Sequence, residues 1–167
     1  FMRLMMPSHA KRVQQYRDDT IPLYQRFQIE QQLDAMHNPE VQLKSGGYIV
    51  INPTEALVAL DVNSGKSTKE RNIEETALKT NIEAAEEVGR QLRLRDRAGL
   101  IVIDSIDMEE GRNIRKVEGR LREAMKTGRA RLQIGRISNF CLLELSRQRL
   151  RPGLLETSSQ ICPHCRG

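Results

Sequence analysis

Leu57-Val58-Ala59-Leu60-Asp61-Val62-Asn63-Ser64-Gly65 is an apolar run that breaks at once into an acid, an amide and a glycine. Such a run, bounded by turn residues, reads as a buried strand whose polar end brings side chains to one edge of a sheet. With a side-chain period of two, Asp61 and Asn63 project from the same face. Leu100-Ile101-Val102-Ile103-Asp104 repeats the design, so Asp61 and Asp104 are expected at adjacent strand ends. Two carboxylates with an amide beside them suit a hard divalent cation that keeps several of its waters. The plainer alternative is turn chemistry, in which both acids cap neighbouring helices or accept hydrogen bonds from loop amides. Asp107, Glu109 and Glu110 are nearby rivals as ligands, but they read as the exposed first turn of the next helix, where acids favour the dipole.

Working outward, Val41-Gln42-Leu43, Ser45-Gly46-Gly47 and Tyr48-Ile49-Val50-Ile51-Asn52 precede the opening strand as tightly joined antiparallel strands. Upstream, Phe27, Ile29, Leu33 and Met36 predict a helix from about 23 to 36, ended by Asn38-Pro39. Pro7 is a helix entry and Asp18-Asp19-Thr20 a turn. Downstream, Ile73, Leu78, Ile82, Ala85, Val88 and Leu92 mark one stripe of a long amphipathic helix reaching about Asp96. Ile114, Val117, Leu121 and Met125 describe another, and Arg131 to Gly135 alternates as a strand. Phe140 to Leu145 reads as an irregular turn or short helix, and Arg151-Pro152-Gly153 opens a polar linker. Strand, helix, strand, helix, strand implies an α+β (mixed α/β) domain, a layered mixed sheet with flanking helices.

The chain carries a net charge of +5 with few aromatics and no tryptophan, so aliphatic residues must supply the core. The basic excess, densest from Arg112 to Arg151, points to phosphate-bearing partners, although pairs such as Glu118 with Arg122 also fit a solvated helix face. No apolar run approaches a membrane span and the first residues do not form a signal peptide, so a cytoplasmic location is the expectation. Beginning at Phe1 inside an apolar segment, the chain reads as a piece of something longer.

Gly65-Lys66-Ser67-Thr68 follows a strand and precedes a helix, as a phosphate loop does. That pattern needs a glycine five residues before the Gly-Lys pair, where Leu60 stands in the strand itself. Lys66 is left as a point charge for a phosphate. Cys162-Pro163-His164-Cys165 is a zinc knuckle that cannot complete four-coordination alone; the rest must come from His164, a later pair, or a second copy. A redox role would require a helix start after a strand, which this polar tail lacks. Cys141 is expected as a small core thiol, and His9 and His37 as surface residues.

Ser45-Gly46-Gly47 through Ser64, Gln91-Leu92-Arg93-Leu94-Arg95-Asp96, Leu100 to Met108, and the Cys-Pro-x-Cys tail together resemble the catalytic region of the bacterial ribonuclease E/G family. The likeness runs over nearly the whole chain. It implies the end of an RNase H-like subdomain at 1–36, a DNase I-like catalytic subdomain at 37–158 and a zinc-link segment at 159–167. By the same resemblance, Asp61 and Asp104 match the family's Mg²⁺-binding acids and Asn63 its orienting amide. Cys162 and Cys165 match the cysteines that share Zn²⁺ with a second protomer, making a homo-oligomer (dimer, and tetramer in the intact family). The implied activity is Mg²⁺-dependent endoribonuclease hydrolysis of single-stranded RNA in RNA processing and mRNA decay, leaving a 5′-phosphate and a 3′-hydroxyl. Partners in an RNA-degradation complex would bind through regions outside this chain, as would the family's further RNA-binding, 5′-sensor and dimerisation domains. Lys66, Arg131 and Arg136 are charge-based candidates for RNA phosphate contacts. A competing class is a non-catalytic zinc-linked RNA-binding or scaffold module with structural acids. Two residues depart from the family pattern: Ser105 stands where a phenylalanine is usual, and Cys141 where a glycine is usual, a strain if that position has a positive φ.

Overall fold

The computed structural model describes residues 1–65, 73–160 and 162–164, and divides the chain into two compact units, Phe1–Ala35 and Met36–Gly167. The first unit has short elements: α1 (Met2–Met5), a 3₁₀ segment (Pro7–Arg12), α2 (Leu23–Arg26) and α3 (Ile29–Ala35). The single helix expected over 23–36 is therefore two pieces. Gln28 between them has φ 52° and breaks the ladder. Leu23, Phe27 and Leu33 are all exposed, so no burial rewards a continuous helix. The Asp18 turn forms as expected, its Oδ1 accepting from Thr20 N at 3.0 Å and Thr20 Oγ1 at 2.6 Å.

The second unit is an α+β domain built on one mixed sheet of β1 (Glu40–Gln42), β2 (Tyr48–Pro53), β3 (Val58–Asn63), β4 (Gly99–Asp104), β5 (Leu132–Ile137) and β6 (Leu142–Arg147). Their spatial order is β1-β2-β3-β4-β6-β5. Among the described residues only β3 and β4 pair in parallel, with the long helix α4 (Ile73–Leu94) between them in sequence. The remaining helices are α5 (Gly111–Met125) and α6 (Leu154–Ser158). Phe140 to Leu145 corrects the sequence reading, because Leu142 onwards is β6, inserted between β4 and β5. Its alternation, with Leu143 and Leu145 buried and Glu144 exposed, spans too few residues to tell from a short amphipathic turn until the neighbouring strands are in place.

The core lies on one face only. Ile49, Ile51, Val58, Leu60, Val62, Ile101, Ile103, Leu143 and Leu145 point towards Ala84, Ala85, Val88 and Leu92 of α4 and Val117, Leu121 and Met125 of α5. Ile73, counted in the α4 stripe, is 85% exposed; the buried face begins instead at Thr76 and Ala77. Opposite the helices the sheet presents Val50, Ala59, Asp61, Val102, Asp104 and Leu142 along an open groove of about 290 Å³. Strand alternation thus sends the aliphatic residues to the core and the acids to the uncovered face.

Candidate metal centre

Asp61 and Asp104 are direct register partners across the parallel β3–β4 pair. Neighbouring strands run about 4.8 Å apart, so the carboxylates leave the same face side by side. Val50 flanks Asp61 on β2 and Leu142 flanks Asp104 on β6, giving a row of apolar, acid, acid, apolar across the sheet. Asn63 lies two residues beyond Asp61, and its Nδ2 donates to Asp61 Oδ2 at 2.9 Å. Partial burial, then the charges of Asp61 and Asp107, hold the Asp104 carboxyl above its ordinary range. A divalent cation placed between the two acids would relieve this repulsion. Among the described residues there is no cluster of three or more His, Cys, Asp or Glu side chains able to hold a metal. The donor set is thus a carboxylate pair, which fits an ion that retains water ligands and not a fully protein-caged one.

The ends of β3 and β4 are fixed by close backbone approaches and helix-borne hydrogen bonds that the sequence did not reveal. Gly47 approaches so closely that a Cβ there would lie 2.6 Å from Asn63 O, and at Gly65 (φ 54°) one would lie 2.5 Å from Gly46 O. The Ser45-Gly46-Gly47 turn and the end of β3 interlock through bare backbone. Ser45 N in turn donates to Glu83 on α4 at 2.9 Å. Beyond Asp104, buried Asn81 of α4 grips residue 106 twice, donating to Ile106 O at 2.8 Å and accepting from Ile106 N at 3.0 Å. Glu74 accepts from Glu109 N at 3.0 Å and from Asn113 Nδ2 at 2.8 Å, bonds that hold its carboxyl below the ordinary range. Glu109 and Glu110 precede α5 instead of forming its first turn, so the acid at that helix start comes from α4. The available signal was a run of polar residues, Thr76, Thr80 and Asn81, inside the apolar stripe.

Ser105 and Cys141 are in contact. Ser105 N and Oγ both donate to Cys141 O, at 3.2 and 2.5 Å, and Cys141 has φ 58° in the turn before β6. The thiol is half-buried, not a core residue; burial and a hydrogen bond with Asp107 push it up from its ordinary range, which keeps it a thiol. Left-handed backbone at a non-glycine residue costs about 1–3 kcal/mol. Cys141→Gly is therefore expected to stabilise the fold by about 1 kcal/mol after the glycine's own entropy is counted, readable as a higher midpoint in urea.

Arg136 is exposed in a cleft of about 580 Å³ with Arg115, Glu118 and Arg122, between α5 and β5. Arg131 precedes β5 and bonds Gln148; β5 begins opposite Arg147, at the far end of the sheet from Asp104. The structure does not bring Arg131 to the acids. His37 is exposed and His9 partly exposed, as expected. Cys162 is exposed, and the expectations for Lys66 and Cys165 lie outside the described residues. No helix among the described residues is long and apolar enough to cross a membrane.

Fold and site together define an α+β domain with an acidic centre at the carboxyl ends of two parallel strands. A profile described as Ribonuclease E/G family matches residues 1–150, and the chain belongs to that family. It is 54% identical over 166 residues to Ribonuclease E of Haemophilus influenzae, covering 99% of this chain and 18% of that protein. Identity to Ribonuclease E of Escherichia coli is 54% over 161 residues, covering 96% of this chain and 15% of that protein. Ribonuclease G of Escherichia coli is 36% identical over 146 residues, covering 87% of this chain and 30% of that protein. The chain thus spans less than a fifth of the two ribonuclease E relatives.

Proposed function

We propose that this chain carries the hydrolytic centre of an endoribonuclease that cuts single-stranded RNA with Mg²⁺. The observation that carries the reading is the register pairing of Asp61 with Asp104 beside the Asn63 amide, on an uncovered sheet face. Asp61 and Asp104 would hold the ion. An ion held there would supply Lewis-acid polarisation of the scissile phosphate and a more acidic water, chemistry consistent with hydrolysis to a 5′-phosphate and a 3′-hydroxyl. Asn63 does not titrate; its Nδ2 fixes the orientation of Asp61, and its amide oxygen is a second polar group at the same edge. Asn81 and Glu74 are positioning residues that keep the loop after Asp104 in place. Arg136, with Arg115 beside it in the cleft between α5 and β5, is a candidate for phosphate contacts away from the acids, and Lys66 a further candidate beyond Gly65.

The test is incubation of end-labelled single-stranded RNA with Mg²⁺ and with excess EDTA, followed by end-group analysis. Metal-dependent cleavage giving 5′-phosphate products is expected, and cutting that persists in EDTA would overturn the reading. The subdomain identities at 1–36 and 37–158, and a role in RNA processing and decay, follow the same family reading.

For the tail we propose a structural Zn²⁺ shared between two copies through Cys162 and Cys165, because a Cys-x-x-Cys pair supplies half of a four-thiolate set. Metal analysis should then find about half an equivalent of zinc per chain, with Cys162→Ser losing both the metal and the dimer. Zinc well below that level in unoxidised protein would remove this assignment.

A further inference from the structure

At the end of the sheet remote from Asp61 and Asp104, a cavity of about 220 Å³ opens between the β2–β3 turn, the entry to β4 and the segment carrying α6. Its lining includes Thr54, Leu57, Arg97, Leu100, Arg149 and Glu156. Arg97 is 8% exposed, and its Nε has no hydrogen-bond partner. Two residues earlier Arg95 is 2% exposed; its Nε donates to Gln91 Oε1 at 2.7 Å, while its Nη2 has no partner. A buried, incompletely bonded guanidinium is among the most costly polar groups a fold can hold, and here there are two of like charge. Desolvation, joined at Arg95 by the charge of Arg97, draws both below the ordinary arginine range.

The carboxylates at the rim are already engaged. Glu156 accepts from both Nη atoms of Arg149, at 3.1 and 3.0 Å, and from Gly153 N at 3.3 Å. Asp96 lies 2.7 Å from Arg151 Nε. Glu156 attracts Arg97 through space, yet its oxygens are taken by these other donors. Arg97 lines the cavity, so the under-compensated guanidinium borders this space, which exceeds the roughly 30 Å³ share of one water several times over.

We propose that this cavity is a phosphate site, with Arg97 as its buried donor and the exposed Arg149, partly redirected from Glu156, as its second. A carboxylate presents two oxygens in one plane. A phosphate presents oxygens on separate vertices, so it can meet two guanidiniums arriving from different elements, and each such bond is charge-assisted. The phosphate comes from a free anion or from a nucleic-acid strand. A route for a strand exists, because Leu57 lines both this cavity and the open-face groove that leads to Asp61 and Asp104. The three residue steps from Val58 to Asp61 span roughly 10 Å. The site itself stands without the metal reading.

The experiment is thermal unfolding of the chain in rising inorganic phosphate against chloride of equal ionic strength, for wild type, Arg97→Leu, Arg149→Gln and Asp61→Asn. Wild type and Asp61→Asn should gain several degrees in phosphate. Arg97→Leu should match or exceed wild type in chloride, having lost a buried unpaired charge, and gain nothing from phosphate. Arg149→Gln, altered at the surface and so tolerant of folding, should lose most of the gain. Equal gains in wild type and both arginine variants, or no gain in wild type, would overturn the proposal. A retained gain in Asp61→Asn keeps it separate from the metal centre. Phosphorus NMR then separates the sources: displacement of bound phosphate by a single-stranded oligonucleotide, but not by its methylphosphonate analogue, assigns a strand. No displacement by either assigns free phosphate.

Discussion

Asp104→Asn and Asp61→Asn are each expected to reduce Mg²⁺-dependent RNA cleavage by at least about a thousandfold, corresponding to about 4 kcal/mol of lost transition-state stabilisation. The assay belongs both in this chain and in a full-length ribonuclease E bearing it in place of its own region. Unchanged cleavage in both variants would sink the metal assignment. Stability should move in the opposite sense. Because the Asp104 carboxyl is held above its ordinary range by burial, Asp61 and Asp107, the folded state binds protons more readily than the unfolded one at this site. Its contribution is greatest below the ordinary carboxylate pKa and declines as pH rises through the raised folded value. In EDTA, Asp104→Asn should therefore become progressively more stable relative to wild type as pH rises from the ordinary carboxylate range through the raised folded value. Mg²⁺ at neutral pH should raise the midpoint of wild type and leave the variant unmoved.

Gly47→Ala is expected to destabilise the domain by about 3 kcal/mol, a fall of roughly 6–12 °C in midpoint for a domain of this size. The added Cβ would meet Asn63 O at 2.6 Å and Thr80 Cγ2 at 3.0 Å, and the nearer obstacle is backbone, which has no rotamer to yield. Relief requires parting β2 from β3 where Tyr48 pairs with Asn63, so the variant should lose Mg²⁺ affinity even at temperatures where it remains folded. Gly119→Ala on the exposed face of α5 is the control. No atom lies within 4 Å of a Cβ at Gly119, so helix propensity alone should give up to about 1 kcal/mol of stabilisation. Equal behaviour of the two variants in calorimetry and metal titration would remove the interlock argument.

The contrast between legible and hidden elements follows interaction range. β3 and β4 could be read because each is a short aliphatic run ended by an acid, and α4 and α5 because their stripes repeat over many turns. β6 was missed because six residues of alternation gain meaning only beside β4 and β5. The split at Gln28 was missed because helical spacing says nothing about whether a partner buries the stripe. Cys141 was singled out through the family resemblance, as a departure from a usual glycine where a positive φ would matter, and the turn before β6 has one.

By itself the sequence determined the two acid-ended strands, the amide sharing a face with Asp61 and the class of fold, since these depend on local alternation and composition. Only the tertiary structure decided that Asp61 and Asp104 are register partners, that Asn81 and Glu74 fix the loop beyond them, and that Arg131 lies at the other end of the sheet. It also placed Arg97, its buried Nε without a partner, in the lining of a cavity, although the sequence shows only one more charge in a basic stretch. The reason is common to all four. Strand register and helix docking are set by which distant side chains share a core, and the spacing of residues along one chain does not encode that pairing.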